Sequence, residues 1–246
     1  EFFELGSGSS RKTVVLLKES LRQKCLIKYI SFDISEKALN MSSKKLKNIS
    51  DNLQVDLIQG DFFKDFKNID INNKNRIYLF LGSTLGNFEN DLAVKFLFGI
   101  SRAMKKNDYL LLGVDNIKDA NIIKSAYNDK AGITEQFNKN ILSVLNVKYN
   151  LNFNKDNFEH NAIYNKKKNQ IEMYLKSLTN QDLQFSDCDI IPIKRGDNFL
   201  TEISRKFSKN TLDELFVKSC LLIEKKFTDE NDFFSLYLLK SNFKSR

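Results

Sequence analysis

The chain has 246 residues, 41% hydrophobic and 28% charged, with 39 Lys and Arg against 31 Asp and Glu for a net charge of +8. That is enough apolar material for one large α/β domain or one domain carrying an insertion, and no internal repeat or low-complexity linker interrupts it. No apolar stretch approaches the roughly 20 residues that span a bilayer and no signal peptide is visible, so no membrane association is expected and the expected compartment is the cytoplasm.

The basic surplus raises nucleic-acid binding, but the excess is spread along the chain. The one compact run, Lys166 to Lys168, lacks the interleaved aromatic platforms of a single-strand track. Solvated lysine faces account for it better. Cys25, Cys188 and Cys220 are far apart, two of them in apolar runs, and are expected to be reduced core thiols. The chain opens on Glu1, directly in a strand-like stretch, which suggests a preceding segment.

In chain order, FFELG reads as a short buried strand, followed by a helix over about Arg11 to Gln23. CLIKYISFDIS is a second strand ending on Asp33, with a helix from Ser35 or Glu36. VDLIQGDFF, RIYLFLGS and NDYLLLGVDN supply three more strands. The helix between the last two covers Asp91 to Met104 and repeats Leu92, Phe96, Leu97 and Ile100 at helical spacing. Alternation of this kind implies a doubly wound parallel sheet. After Lys118 the rhythm changes: two helices, NIIKSAYND and FNKNILSVLNVKYNL, precede an alternating strand, QIEMYLKSL, in a stretch that contains the only proline, Pro192. Residues 118–206 are therefore expected to form an inserted α+β subdomain. The rhythm returns with a helix over NTLDELFVKSC, expected to be capped by Asn210, and two closely joined strands, an antiparallel hairpin. The expected main domain is 1–117 with 207–246. A parallel sheet closed by such a hairpin is the class I S-adenosylmethionine-dependent methyltransferase arrangement, a Rossmann-like fold.

In ELGSGSSRKT, Gly6 and Gly8 follow a strand and precede a helix, where the missing Cβ atoms allow a ligand to approach the backbone. A short glycine loop with the acidic Glu4 before it suits S-adenosylmethionine, which has no phosphate, better than a dinucleotide. Asp33, at the end of the second strand, is placed to accept both hydroxyls of a ribose. Asp61 and Phe62, after the third strand, are placed to meet adenine. LFLGSTLGNF ends the fourth strand, and there the side-chain carbonyl of Asn87 can accept from an amine and aim its lone pair while Gly82 and Gly86 leave room. Each residue alone also fits a turn, a cap or ordinary packing. At successive carboxyl ends of strands they form a joint signal.

These segments, with LLLGVDNIKD, AYND, GITEQFNKNIL, IEMYL and TEISRKF in the same order, resemble the histidine Nα-methyltransferase family of ergothioneine biosynthesis over essentially the whole chain. The resemblance implies transfer of three methyl groups from S-adenosylmethionine to the α-amine of L-histidine, giving hercynine. It implies that Gly6, Lys12, Asp33, Asp61 and Phe62 hold the cofactor. Gly82, Asn87 and Tyr127 would hold the amino-acid end of the substrate, Asn87 and Tyr127 as the catalytic pair. Met173, Glu202 and Ser204 would surround the ring, with Glu202 accepting from one imidazole N–H. Met173 also fits ordinary core and Tyr127 ordinary packing. The only histidine, His160, is expected in a loop or cap, and no metal site is expected. Two departures stand out. Family members carry an N-terminal segment that completes the substrate domain, which this sequence is expected to lack, and Asp197 stands where the resemblance would suggest Glu. Some relatives act on tryptophan-derived amines, which makes such an amine the alternative substrate, and an inactive interaction module is the alternative of another class.

Overall fold

The computed structural model describes residues 1–23, 25–65, 75–184 and 190–243. The chain divides into two compact units, Glu1–Asn116 with Phe207–Arg246, and Ile117–Lys206.

The first unit begins with β1 (Phe2–Leu5), α1 (Thr13–Leu21), β2 (Ile27–Asp33), α2 (Glu36–Leu46), β3 (Leu53–Gln59), β4 (Ile77–Phe80), α3 (Asn90–Ala103) and β5 (Tyr109–Asp115). The five strands pair in parallel in the order β5-β4-β1-β2-β3. Parallel strands carry helices on both faces, which is why β1 and β2 read as nearly continuous apolar runs. α2 starts where Ser35 Oγ accepts from the Ala38 N–H, with Glu36 in its first turn and Lys44 and Lys45 in its last, in accord with the helix dipole. α3 buries Ala93, Phe96, Leu97 and Ile100 at helical spacing. Leu92, expected on that face, is exposed, because it falls one position away from the Ala93–Phe96–Leu97 stripe. α1 is shorter than its sequence pattern, and Val15 faces solvent.

The second unit contains α4 (Ala120–Tyr127), α5 (Ile133–Tyr149), β6 (Phe158–Asn165), β7 (Gln170–Ser177), β8 (Gln181–Gln184), β9 (Ile190–Ile193) and β10 (Asn198–Arg205). β10, β7 and β6 form an antiparallel sheet, and β8 and β9 a separate two-stranded ribbon. Alternate residues of a strand share a face. The buried set of β7, Ile171, Met173 and Leu175, together with Phe158 and Ala162 of β6, faces the helices: Leu142 of α5 packs with Phe158 and Leu175, and Ile123 of α4 with Ala162, Ile171 and Met173.

The chain re-enters the first unit where Phe207 N–H donates to Asp115 O at 2.9 Å. Then follow α6 (Lys209–Lys218), β11 (Leu221–Thr228) and β12 (Phe234–Ser241). Ser208, not Asn210, caps α6: its hydroxyl accepts from Thr211 N–H. Both residue types can cap, but the backbone at Ser208 is still extended as it leaves the sheet, which is the conformation an N-cap needs. β12 inserts between β5 and β11 and is antiparallel to both, so it is the one reversed strand of the seven. This is the expected class I topology. Its core joins Phe3, Leu5, Phe32 and Tyr78 to Phe80, Phe96, Leu112 and Tyr237.

The cysteine expectation needs correction. Cys25 is exposed, since the buried strand begins only at Ile27, and Cys220 is half-buried at the left-handed residue (φ 54°) that ends α6. Cys188 lies outside the described residues.

Asn116, buried at the end of β5, donates through Nδ2 to Asp232 O (2.8 Å) and Ser235 Oγ (2.8 Å), while its own N–H reaches Phe233 O. It ties the end of β5 to the hairpin loop. Asn116→Ala leaves buried acceptors without their donor and is expected to destabilise the unit by about 1–3 kcal/mol, read from urea denaturation followed by circular dichroism.

Candidate active site

The order β4-β1-β2 places a switch point between β1 and β4, where consecutive crossovers leave on opposite sides and a crevice opens at the carboxyl ends. The loop after β1 lies there. Its Gly6 and Ser7 N–H groups both donate to Phe32 O, at 2.9 and 3.2 Å. Gly6 and Gly8 take φ values of 66° and 53°, the left-handed region that favours glycine. A Cβ built on Gly8 would meet nothing within 4 Å, so the space above it is open to a ligand.

Asp33, half-buried at the end of β2, holds this loop and the next together. Its Oδ2 accepts from Gly8 N–H at 2.7 Å and its Oδ1 from Ser35 N–H at 2.8 Å. Each oxygen keeps a lone pair, which is what reception of a vicinal diol requires. These acceptors therefore fit the hydroxyls of the ribose of S-adenosylmethionine.

Glu4 has a different place from the ligand-facing one that the sequence suggests. It is buried, and its carboxylate accepts from Thr13 Oγ1 at 2.6 Å and from the Tyr29 hydroxyl. Tyr29 Oη also lies 2.7 Å from Ser10 Oγ, and Ser10 Oγ 2.6 Å from Ser42 Oγ. Glu4 thus anchors the start of α1 to β2 beneath the loop. Burial pushes its carboxyl up to about 7, against the lowering effects of the Thr13 and Tyr29 hydrogen bonds and of the Lys12 charge. Burial, with the neighbouring Glu4 charge, pushes the Tyr29 phenol up as well.

Lys12 reaches across to β4. A Cβ on Gly82 would lie 2.6 Å from its Nζ, and at φ 81° any side chain there would be strained. Ser83, also left-handed at φ 63°, accepts from Asp115 N–H through Oγ at 2.9 Å. A short 3-10 turn, Thr84–Asn87, follows, and it presents the Asn87 side chain to solvent while Leu85, Gly86 and Phe88 are buried. The Asn87 side chain has no hydrogen bond to another described residue. Asp61 accepts from Phe63 N–H at 2.9 Å and has Lys64 Nζ 3.8 Å away, so its carboxylate closes the turn after β3. The Phe62 ring packs in an aromatic cluster, 5.1 Å from Phe96 and 6.0 Å from Phe80 and Phe88. That occupation leaves the Phe62 backbone, more than its ring, for a base. The first unit therefore gathers Gly6, Lys12, Asp33 and Gly82 around one crevice, with Asp61 and Phe62 at the end of the neighbouring β3.

In the second unit, Glu202 and Ser204 share one face of β10, and Glu202 sits opposite Met173 in the register with β7. Met173 is buried in the apolar cluster under α4. The Tyr127 hydroxyl, at the end of α4, donates to Ser204 Oγ at 2.7 Å. A residue that the sequence reading passed over joins them: buried Lys206 donates through Nζ to Tyr127 Oη (2.9 Å) and Ser204 Oγ (2.8 Å) and lies 4.8 Å from the Tyr127 ring centroid. The alternation Glu202, Ser204, Lys206 was the one available signal. His160 is in strand β6, not in a loop or cap. Asn138 Nδ2 donates to its Nδ1 and its Nε2–H donates to Tyr127 O, both at 2.9 Å, which anchors the end of α4 to the sheet. Asp197 accepts from Lys194 N–H at 2.7 Å and closes the turn into β10. No group of three or more His, Cys, Asp or Glu side chains among the described residues could hold a metal.

The sheet order, the glycine loop and the half-open Asp33 define a class I S-adenosylmethionine-dependent methyltransferase. A solved S-adenosylmethionine-dependent methyltransferase from Clostridium acetobutylicum shares the fold, with a TM-score of 0.54 at 15% identity over 98% of this chain and 84% of that one. Residues 1–241 match the family described as histidine-specific, SAM-dependent methyltransferase, and the chain belongs to that family. It is 32% identical to Histidine N-alpha-methyltransferase of Mycobacterium tuberculosis over 96% of this chain and 73% of the relative. It is 26% identical to Ergothioneine biosynthesis protein 1 of Schizosaccharomyces pombe over 98% of this chain but 32% of that longer protein.

The buried Glu4 gives stability a pH dependence. Its carboxyl takes up its proton more readily in the fold than in the unfolded chain, so the contribution of Glu4 to stability is greatest below about 4.5 and is lost as pH rises towards about 7. Glu4→Gln is expected to remove a slope of up to about 1.4 kcal/mol per pH unit from that window, measured by urea denaturation at a series of pH values.

Proposed function

We propose that this protein methylates the α-amine of L-histidine with S-adenosylmethionine, three times in succession, to give Nα,Nα,Nα-trimethylhistidine on the route to ergothioneine. The observation that carries the choice of substrate is the pair Glu202 and Ser204 on one face of β10, with Glu202 opposite Met173, in a chain of the histidine-specific family. A carboxylate accepts from one imidazole N–H, a hydroxyl donates to the other nitrogen, and a thioether flanks the ring. An indole has a single N–H and would leave the hydroxyl unpaired.

Bound S-adenosylmethionine supplies an electrophilic methyl group on a sulfonium sulfur. The protein's part is placement. Asp33 takes the ribose hydroxyls, the loop at Gly6 and Gly8 accommodates the amino-acid end of the cofactor, Lys12 attracts its carboxylate, and Asp61 accepts from the adenine amine. Asn87 accepts an N–H of the substrate amine and so aims the nitrogen lone pair, while Tyr127, its proton given to Ser204, lines the amino-acid end of the substrate. A protonated amine has no lone pair, so the substrate nitrogen must lose a proton before each transfer, and a cation held nearby favours that loss. No covalent intermediate with the protein is needed, and orientation supplies most of the acceleration.

Asn87→Ala is expected to lower kcat/KM for the first transfer about 10-fold, the value of one aligned hydrogen bond of about 1.4 kcal/mol, with mono- and dimethyl products accumulating in mass spectra. Glu202→Ala removes a charge-assisted hydrogen bond and is expected to weaken histidine binding about 10- to 100-fold by calorimetry. A histidine and tryptophan competition, read by mass spectrometry, tests the substrate: trimethylhistidine as the main product supports the proposal, and methylated tryptophan or no product overturns it.

A further inference from the structure

Lys206 lies within the second unit as a buried ammonium whose Nζ reaches Ser204 Oγ at 2.8 Å and Tyr127 Oη at 2.9 Å. Tyr127 in turn donates to Ser204 Oγ at 2.7 Å. A serine hydroxyl has two acceptor positions and one proton. Here both acceptor positions receive a donor, one from the tyrosine and one from the lysine, and an ammonium can only donate. The Ser204 proton is what remains to face a ligand.

From this geometry we infer that Lys206 is a specificity-setting residue: together with Tyr127 it turns Ser204 into an obligate donor, so that the site takes a neutral imidazole in one tautomer and rejects the imidazolium. This rests on the assignment of Ser204 to the substrate ring. The accepted ring offers an N–H to Glu202 and a bare nitrogen to Ser204. An imidazolium carries a proton on both nitrogens, so one N–H would oppose the Ser204 proton and the ring charge would approach the Lys206 charge. Among the described residues, the titratable groups facing this corner include Tyr127 on α4, His160 and Tyr164 on β6, and Glu202 and Lys206 on and just after β10. Of these, Glu202 alone favours the charged ring, and it serves the neutral ring equally well as an acceptor of one N–H. A lysine that packed against Tyr127 only for stability would leave the protonation state of the ligand without effect.

The test is calorimetric titration of the protein with L-histidine at pH 7.5 and pH 5.0, where the α-amine is protonated throughout and the ring, with a pKa near 6.5, changes state. Wild-type affinity is expected to fall about 30-fold between the two, the loss of the neutral form. Lys206→Met keeps the length of the side chain and frees one acceptor position on Ser204, and its affinity is expected to fall less than about 3-fold over the same range. An acid loss in Lys206→Met equal to that of wild type overturns the inference. Ser204→Ala separates it from its premise: weakened binding at pH 7.5 keeps Ser204 at the ring, whereas unchanged affinity removes both the ring assignment and the inference. Wild-type protein alone supplies a second readout independent of variant folding. Titrations in buffers of different ionisation enthalpy should show about two-thirds of a proton more released per histidine bound at pH 6.0 than at pH 7.5. Equal release at the two pH values overturns the inference.

Discussion

The carboxylate of Asp33 connects the loops that frame the crevice at the ends of β1 and β2. By accepting one backbone N–H from the glycine loop and one from the turn before α2, it fixes the spacing of two connections that the sheet alone would leave independent. Beneath it, buried Glu4 joins α1 to β2 through Thr13 and Tyr29. A buried carboxyl is costly unless it is paired or protonated, and Glu4 is both hydrogen-bonded and held well above the usual carboxylate range. The two acids divide the work: one lies below the loop as a brace, and the other lies at its rim with lone pairs to spare.

On the proposed assignment the two compact units solve different recognition problems. The crevice of the first is made mainly of backbone, with left-handed residues at Gly6, Gly8, Gly82 and Ser83, as close approach to the chain requires. The second presents side chains from a small antiparallel sheet, where a register of alternate residues sets Glu202, Ser204 and Met173 on one face. Rigid strands hold hydroxyls and charges more accurately than a loop does, and the Asn138–His160–Tyr127 chain of hydrogen bonds extends that rigidity to the end of α4.

Much of the first unit could be read from the sequence because parallel strands are buried on both faces and appear as apolar runs, while Asp33, Asp61 and the glycines fall at their ends, where ligands bind. What escaped notice depends on long-range pairing. Glu4 looks like a ligand-facing acid until Tyr29, 25 residues away, is seen to bond it. His160 lies in a strand whose neighbours are mostly polar, so its period is faint. Lys206, beside an arginine at the end of TEISRK, looks like another solvated cation, and only the fold brings Tyr127 against it. Cys25 shows the opposite error, an apolar neighbourhood in sequence that the fold leaves exposed.

The 90 residues from Ile117 to Lys206 leave and rejoin the sheet at backbone neighbours, with Asn116 bridged to Phe207. A detour that starts and finishes at one spot asks nothing of the strands it interrupts, so its length and content can drift without retuning the cofactor machinery. On the proposed assignment, such a junction would permit evolution to exchange the second unit wholesale, altering which amine is chosen while the first is inherited intact.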